Sequence, residues 1–348
     1  MRGDLEKQPV EILDNPAMKL LYAGVDLGGT NISAAMADET GRILAESTHP
    51  TQSHEGHGAV LERIAKMIDE LAAKVGGRPA RLGLGAPGLV DLPTGTTRFL
   101  PNLPGHWRDV PVRAILEHRI GCPVQLLNDA RAAALGELVF GRGQNASTMI
   151  LFTLGTGVGG AVVVDRQLRL GPLGAAGEVG HQTILPDGPL CNCGNRGCLE
   201  TLASGPAITA EGVRLFLSGA APRLHQLCRG DIANVSPATM AAAARAGDGS
   251  VAAALRRVGE WLGIGAANLV TALHPDLIVL GGGVAELGDL LLEPMRQVIS
   301  TRVGMFPTDG IRLERSSLGD KAGVLGAIAL AQQRGLPPEF NSANSNRP

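Results

Sequence analysis

Along the chain, apolar runs of strand length alternate with stretches whose apolar residues recur at helical spacing. Residues 20–27 form an apolar run that ends in Gly28-Gly29 and predicts a strand. Residues 31–37 and 42–47 extend it into a three-stranded meander with a turn at 39–41. Over residues 59–74, Leu61, Ile64, Ala65, Ile68, Leu71 and Ala72 share one face of a helix. Short strands follow at 81–84 and 123–127, the second leading directly into an Ala-rich helix from 130 to about 140.

The same series then restarts. Residues 148–154 and 158–164 predict two strands joined by a Gly-rich turn. Residues 171–207 carry no regular period, and such a long irregular segment in a compact protein is usually functional. Helices are predicted at 236–246, with Ser236 as N-cap, and at 251–273. A buried-type strand at 277–280 ends in Gly281-Gly282-Gly283, and a last helix covers 322–333. The repetition predicts an α/β protein of two lobes facing a common cleft. A small lobe spans 21–130 and a larger one 131–321, including an irregular loop at 178–200; the final helix, 322–334, returns to the first lobe. Residues 1–20 and 337–348 read as disordered tails. A length of 348 residues agrees with two domains, since single cores stop growing near roughly 250–300 residues.

Composition narrows the class. Aromatic residues are only 3%, so Leu, Val, Ile and Ala must build the core. Glycine, at 48 residues, is about twice its usual share, without a collagen-like period. The formal charge is -2 and no long basic run occurs, which excludes the electrostatic footprint of a nucleic-acid or anionic-membrane binder. No apolar stretch approaches the ~20 residues that span a bilayer, and the polar N-terminus lacks a signal-peptide core. A cytoplasmic protein is expected. Of five cysteines, Cys191, Cys193 and Cys198 fall within eight residues, a spacing that favours metal over disulfide in that compartment.

Candidate chemistry sits where strands end. The turns Asp26-Leu27-Gly28-Gly29-Thr30 and Leu154-Gly155-Thr156-Gly157-Val158-Gly159-Gly160 present backbone N–H groups without obstructing Cβ atoms, and Thr30 and Thr156 add hydroxyl donors. That chemistry suits phosphate, and Asp26 is placed to hold Mg²⁺ directly or through water. Either turn alone also reads as an ordinary Gly-Gly β-turn; the pair, each after an apolar strand of a duplicated unit, favours phosphate. Asn128-Asp129 closes one strand and opens a helix. Asp129 is a candidate general base for a hydroxyl, and equally an ordinary helix N-cap. His181, Cys191, Cys193 and Cys198 complete a Cys₃His set for Zn²⁺, structural because no open position remains; the alternative is a group of reduced, unpaired thiols. Cys122 and Cys228 read as plain buried residues. A closed metal site would fix Glu178, His181 and Glu200 in a small volume fit for a polyhydroxyl ligand; without it they belong to a solvated acidic loop.

Together these residues resemble the ROK family (repressor, open reading frame, kinase) over most of the chain, from about residue 21 to residue 330. Asp26 to Thr30 looks like its first phosphate loop, and Leu154 to Gly160 like its second. Gly85-Ala86-Pro87-Gly88-Leu89-Val90-Asp91, then Pro101-Asn102-Leu103 and Trp107, is similar to its sugar-contact segment. Asn128-Asp129 matches its catalytic aspartate, and the order Glu178, Gly180, His181, Cys191, Cys193, Gly194, Gly197, Cys198, Glu200 resembles its zinc signature.

The resemblance implies an actin-like, hexokinase-type fold, a duplicated ribonuclease H-like unit with ATP and sugar meeting between the lobes. It implies Asp129 as the base for the sugar 6-hydroxyl. Sugar contacts would come from Gly88, Asn102, Asn128, Asp129, Glu178, His181 and Glu200. Nucleotide and phosphate contacts would come from Asp26, Gly28, Gly29, Thr30, Asn31, Gly155, Thr156, Gly157, Gly282 and Gly283. Glucose leads as substrate. N-acetylmannosamine, N-acetylglucosamine, fructose, mannose and allose are the alternatives within the same chemistry. The family also holds repressors with an N-terminal helix-turn-helix; about 20 residues precede the first strand here, so the kinase branch is expected over a non-catalytic sugar sensor. A zinc-dependent scaffold with vestigial loops is a third reading. The resemblance suggests a homodimer or homotetramer, with sugar and ATP as the only other partners.

Overall fold

The computed structural model describes residues 20–100, 103–337 and 340. The two expected tails therefore lie almost wholly outside the described residues, as does Asn102. β1 (Tyr22–Leu27), β2 (Asn31–Ala37) and β3 (Ile43–Pro50) form an antiparallel meander. Helix α1 (His57–Val75) crosses over to β4 (Arg81–Ala86), which runs parallel to β1. A small hairpin, β5 (Leu89–Asp91) and β6 (Thr96–Phe99), and helix α2 (Val112–Ile120) precede β7 (Val124–Asn128), parallel to β4. The sheet order is β3-β2-β1-β4-β7.

Helix α3 (Asp129–Phe140) leads into a second sheet of the same topology. β8 (Met149–Leu154), β9 (Val158–Val164) and β10 (Gln167–Leu168) repeat the meander. Five helices follow: α4 (Glu200–Ala203), α5 (Gly205–Leu217), α6 (Pro222–Leu227), α7 (Pro237–Arg245) and α8 (Gly249–Leu273). β11 (Leu277–Gly281), α9 (Asp289–Arg302), β12 (Arg312–Arg315) and α10 (Ala322–Ala331) complete the chain. The order β10-β9-β8-β11-β12 mirrors the first sheet strand for strand. The two-lobed α/β fold expected from the duplicated pattern is the fold adopted.

The patterning explains these choices. β7 and β11 are buried at every residue, as parallel strands covered on both faces must be. β3, at the sheet edge, alternates half-buried and exposed positions. α1 buries its apolar stripe and ends at Gly76 with φ 73, a left-handed turn that glycine adopts freely. Ser236 caps α7 in a reciprocal box with Thr239, so that end is satisfied without tertiary help. The core of the second half runs from Ile150 and Phe152 across α5, α7, α8 and α9, while the first half packs Val25, Ile64, Ile68, Leu82 and Leu126.

Helices α3 and α10 lie against one another between the sheets. Their contact is backbone to backbone: a Cβ at Gly136 would sit 2.5 Å from Ala322 O, and one at Gly326 would overlap Ala132 O. The other side of α10 rests on β1 and β4, where a Cβ at Gly24 would sit 2.5 Å from Val324 O and one at Gly83 would overlap Ala327 O. Ala329 and Leu330 meanwhile join Leu151, Leu277 and Val279 of the second sheet in one cluster. Glycines on four elements, α10 itself included, thus let one nearly all-apolar helix tie the halves together.

Candidate functional site

Parallel strands present ligands at their carboxyl ends. Here the ends of β1, β4 and β7 face the β8–β9 turn and the end of β11 across a cleft of ≈ 530 Å³. From the first half it is lined by Gly28, Gly29, Gly88, Asn128 and Asp129. The second half adds Gly155, Thr156, Gly157, Glu178, His181, Glu200 and Gly282. Most residues singled out from the sequence are therefore brought together. Asp26, Thr30 and Asn31 flank Gly28 and Gly29 in the chain but are not among the lining residues: Asn31 O accepts the Gly28 N–H at 2.9 Å and closes the first turn, and Thr30 O accepts the Thr51 N–H at 2.7 Å. Gly283 lines an adjoining cavity of ≈ 940 Å³ that shares Gly155 and Thr156 with the cleft. Its other walls include Gly205, Thr209, Ser236, Arg245 and Glu286, none of them an expected site residue; the sequence marks Ser236 only as a helix cap.

Asp129 stands at the first position of α3, and the preceding Asn128 is the cap. Asn128 Oδ1 accepts from Ala130 N at 3.0 Å and Arg131 N at 3.2 Å, and its Nδ2 donates to Gly88 O at 3.0 Å. The N-cap task that competed for Asp129 in the sequence thus falls chiefly to Asn128. One Asp129 oxygen accepts from Ala130 N at 2.8 Å. Burial pushes the Asp129 carboxyl up; the Ala130 N–H and the Arg131 charge oppose this, and Glu178 adds to it. Burial likewise pushes Asp26 up to about 7, and the Asp129 charge reinforces it. The two carboxylates thus raise the cost of each other's charge, and a divalent ion at Asp26 would offset it.

The segment after β10 is organised by side chains more than by helix or strand. The ligand atoms of His181, Cys191, Cys193 and Cys198 lie within 4.8 Å of one another. Cys193 Sγ is 3.7 Å from Cys198 Sγ, and His181 Nδ1 is 3.7 Å from Cys191 Sγ. A tetrahedron with zinc–sulfur bonds of about 2.3 Å has edges of about 3.8 Å, so the group fits that ion. Gly194 and Gly197 turn the chain with φ of 91 and 63, and a Cβ at Gly197 would overlap Leu185 O. Two residues past the last cysteine, Glu200 Oε2 accepts the Val158 N–H at 3.0 Å. A Cβ at Gly157 would overlap that same oxygen. The carboxylate and the second glycine turn are thus in direct contact.

Arg131 was not singled out from the sequence. It is buried, and its guanidinium reaches Asn128, the Ala175 and Ala176 carbonyls and Glu178. A lone arginine in the run Ala130–Ala134 was the available signal.

The fold and much of the sequence are shared with known proteins. The ROK family model matches residues 22–334. A glucokinase from Streptomyces coelicolor is 37% identical over 318 residues, spanning 90% of this chain and 98% of that protein. A xylose repressor from Caldicellulosiruptor bescii is 33% identical, spanning 88% of this chain and 77% of the repressor. The crystal structure of a ROK family glucokinase from Streptomyces griseus, in complex with glucose and AMPPNP, superposes with a TM-score of 0.78 at 36% identity, covering 90% of this chain and 99% of that one.

Proposed function

The chain belongs to the ROK family, and from that premise we propose that it is an ATP-dependent hexose kinase that transfers the γ-phosphate of ATP to the 6-hydroxyl of glucose. The observation that carries this reading is the position of Asp129: an enclosed carboxylate at a helix start, lining one cleft with two glycine turns from opposite halves. The glucokinases among the relatives, and the one solved with glucose and AMPPNP, support the substrate.

Phosphoryl transfer needs positioning and neutralisation of charge more than covalent help. Asp129 accepts the proton of the 6-hydroxyl as that oxygen attacks phosphorus. Burial raises its proton affinity, which makes it a better acceptor for that proton than an ordinary carboxylate. Asn128, Glu178, His181 and Glu200 hold the remaining hydroxyls, with Gly88 allowing close backbone approach. The turns at Gly28–Gly29 and Gly155–Gly157 hold the phosphates, and Gly282 and Gly283 flank the nucleoside in the adjoining cavity. Asp26 is the side chain that would hold Mg²⁺, which when bound offsets charge on the phosphates. His181, Cys191, Cys193 and Cys198 would hold a structural zinc that fixes Glu178 and Glu200. Closure of the halves excludes water and limits ATP hydrolysis.

We divide the chain into lobes at residue 130, with α10 counted in the first, and place the protein in the cytoplasm as a homodimer or homotetramer. Among the described residues no helix is long and apolar enough to cross a membrane. A sugar sensor is the competing reading, favoured by the repressor relative; Asp129 and both glycine turns in one cleft argue for chemistry. Measuring ADP release with ATP and a panel of hexoses and acetamido sugars decides: glucose should give the highest kcat/KM. Sugar binding without ADP release above background would remove the kinase reading.

A further inference from the structure

Arg131 leads the large side chains that are fully buried, at 1% exposure. A buried guanidinium costs several kcal/mol in lost hydration and is weak support for stability by itself. Its partners suggest another reason for its presence. Nη2 donates to Ala175 O at 2.9 Å and Nε to Ala176 O at 3.1 Å, which ties α3 to the loop that precedes Glu178. Nη1 donates to Asn128 Oδ1 at 2.9 Å, and Nη2 meets Glu178 Oε1 at 2.7 Å. Two of its four partners are thus residues to which the kinase reading gives sugar contacts, and they come from opposite halves of the molecule. Glu178 is itself 45% exposed at its side chain, so the ion pair has one end in the cleft and the other in the core.

We propose that Arg131 is a positioning residue for sugar phosphorylation: it locks Asn128 and Glu178 in one arrangement on either side of Asp129 and thereby sets the affinity for the sugar. This rests on the kinase reading. The planar fork is what the task requires, because it reaches a side-chain amide, two carbonyls and a carboxylate at once. With Glu178 Oε1 engaged, the other carboxylate oxygen is left to accept from a hydroxyl. The same fixed charge stands beside Asp129 and favours its ionised form. The charged groups facing Asp129 are Asp26 from β1, Glu178 from the loop and Arg131 from its own helix, with His181 and Glu200 lining the same cleft.

Two variants of the full chain test this. Arg131→Lys keeps the charge and a donor in the same pocket but loses the fork. Arg131→Gln removes the charge. Arg131→Lys should raise the KM for glucose about 10- to 100-fold, as loss of one or two charge-assisted hydrogen bonds predicts. It should leave the KM for ATP within about twofold and the acid limb of kcat in place. Arg131→Gln should show the same KM change and an acid limb moved to higher pH. Calorimetric titration with glucose alone reads the affinity apart from turnover. Equal losses for ATP and glucose, or an unchanged glucose affinity in Arg131→Lys, would overturn the proposal. A wild-type protein that binds glucose without turnover defeats the kinase reading instead, and calorimetry on Arg131→Lys still decides the positioning role.

Discussion

Replacing Gly157 by Ala probes whether the sugar and phosphate parts of the cleft are one mechanical unit. The backbone there is not left-handed, so alanine meets no conformational penalty. Its Cβ would overlap Glu200 Oε2, which accepts the neighbouring Val158 N–H at 3.0 Å. A carboxylate is the free end of a flexible side chain and can swing away, so the fold should survive. The swing breaks the bond to Val158, and a hydrogen bond to a charged acceptor is worth about 1.5–3 kcal/mol. That range corresponds to a loss of about 10- to 150-fold in kcat/KM for glucose. Gly155→Ala is the comparison, because nothing lies within 4 Å of a Cβ there. Its effect should fall on ATP alone, whereas Gly157→Ala should weaken glucose and ATP together. Steady-state kinetics with each substrate varied, beside melting curves for both variants, provide the measurement. A Gly157→Ala protein within threefold of wild type, with an unaltered glucose KM, would refute the coupling.

Three further outcomes are expected. Asp129→Asn should bind glucose by calorimetry yet lose about 10²–10⁴ in kcat, the usual contribution of a general base; near-normal turnover would remove Asp129 from its role. Cys193→Ser should lose bound zinc, read by metal analysis against about one zinc per chain in the parent, and should lose glucose affinity with it; unchanged affinity would separate the metal from the sugar site. Asp26 binds its proton more tightly in the folded chain than the ordinary value of 3.8. Its contribution to stability is complete below that value and is lost as pH rises through about 7. The metal-free protein should therefore melt at a lower temperature at pH 8 than at pH 5, and Asp26→Asn should flatten that difference.

Legibility in the sequence followed the strength of local signals. β2 and β9 match their expected bounds, 31–37 and 158–164, because glycines or turn residues frame both runs. α3 starts one residue earlier than expected, at Asp129, since Asn128 takes the cap. α9 is not legible because Pro294 and the charged Glu293 and Arg296 interrupt its stripe, and β12 because four residues with two arginines and a glutamate do not look buried. The irregular stretch 171–207 holds one-turn helix α4 and the start of α5, too short and too Gly/Pro-rich to register as periodic. In the site, the cysteine spacing and the strand-end glycines were readable because they are local. Arg131 and the contact between Glu200 and Gly157 were not, since both exist only once segments far apart in sequence meet.

The position of α10 sets an order on how the protein can be made. The face of the first sheet that carries Gly24 and Gly83 is covered by a helix that begins 236 residues after β4 ends. At synthesis rates of about 5–20 residues per second, that face waits roughly 10–50 s on the ribosome before its cover exists. Nascent chains stalled before residue 322 should thus be cut by protease within residues 22–86, and released chains should not. The opening strands of this protein stay uncovered on that face until the codons for α10 are read.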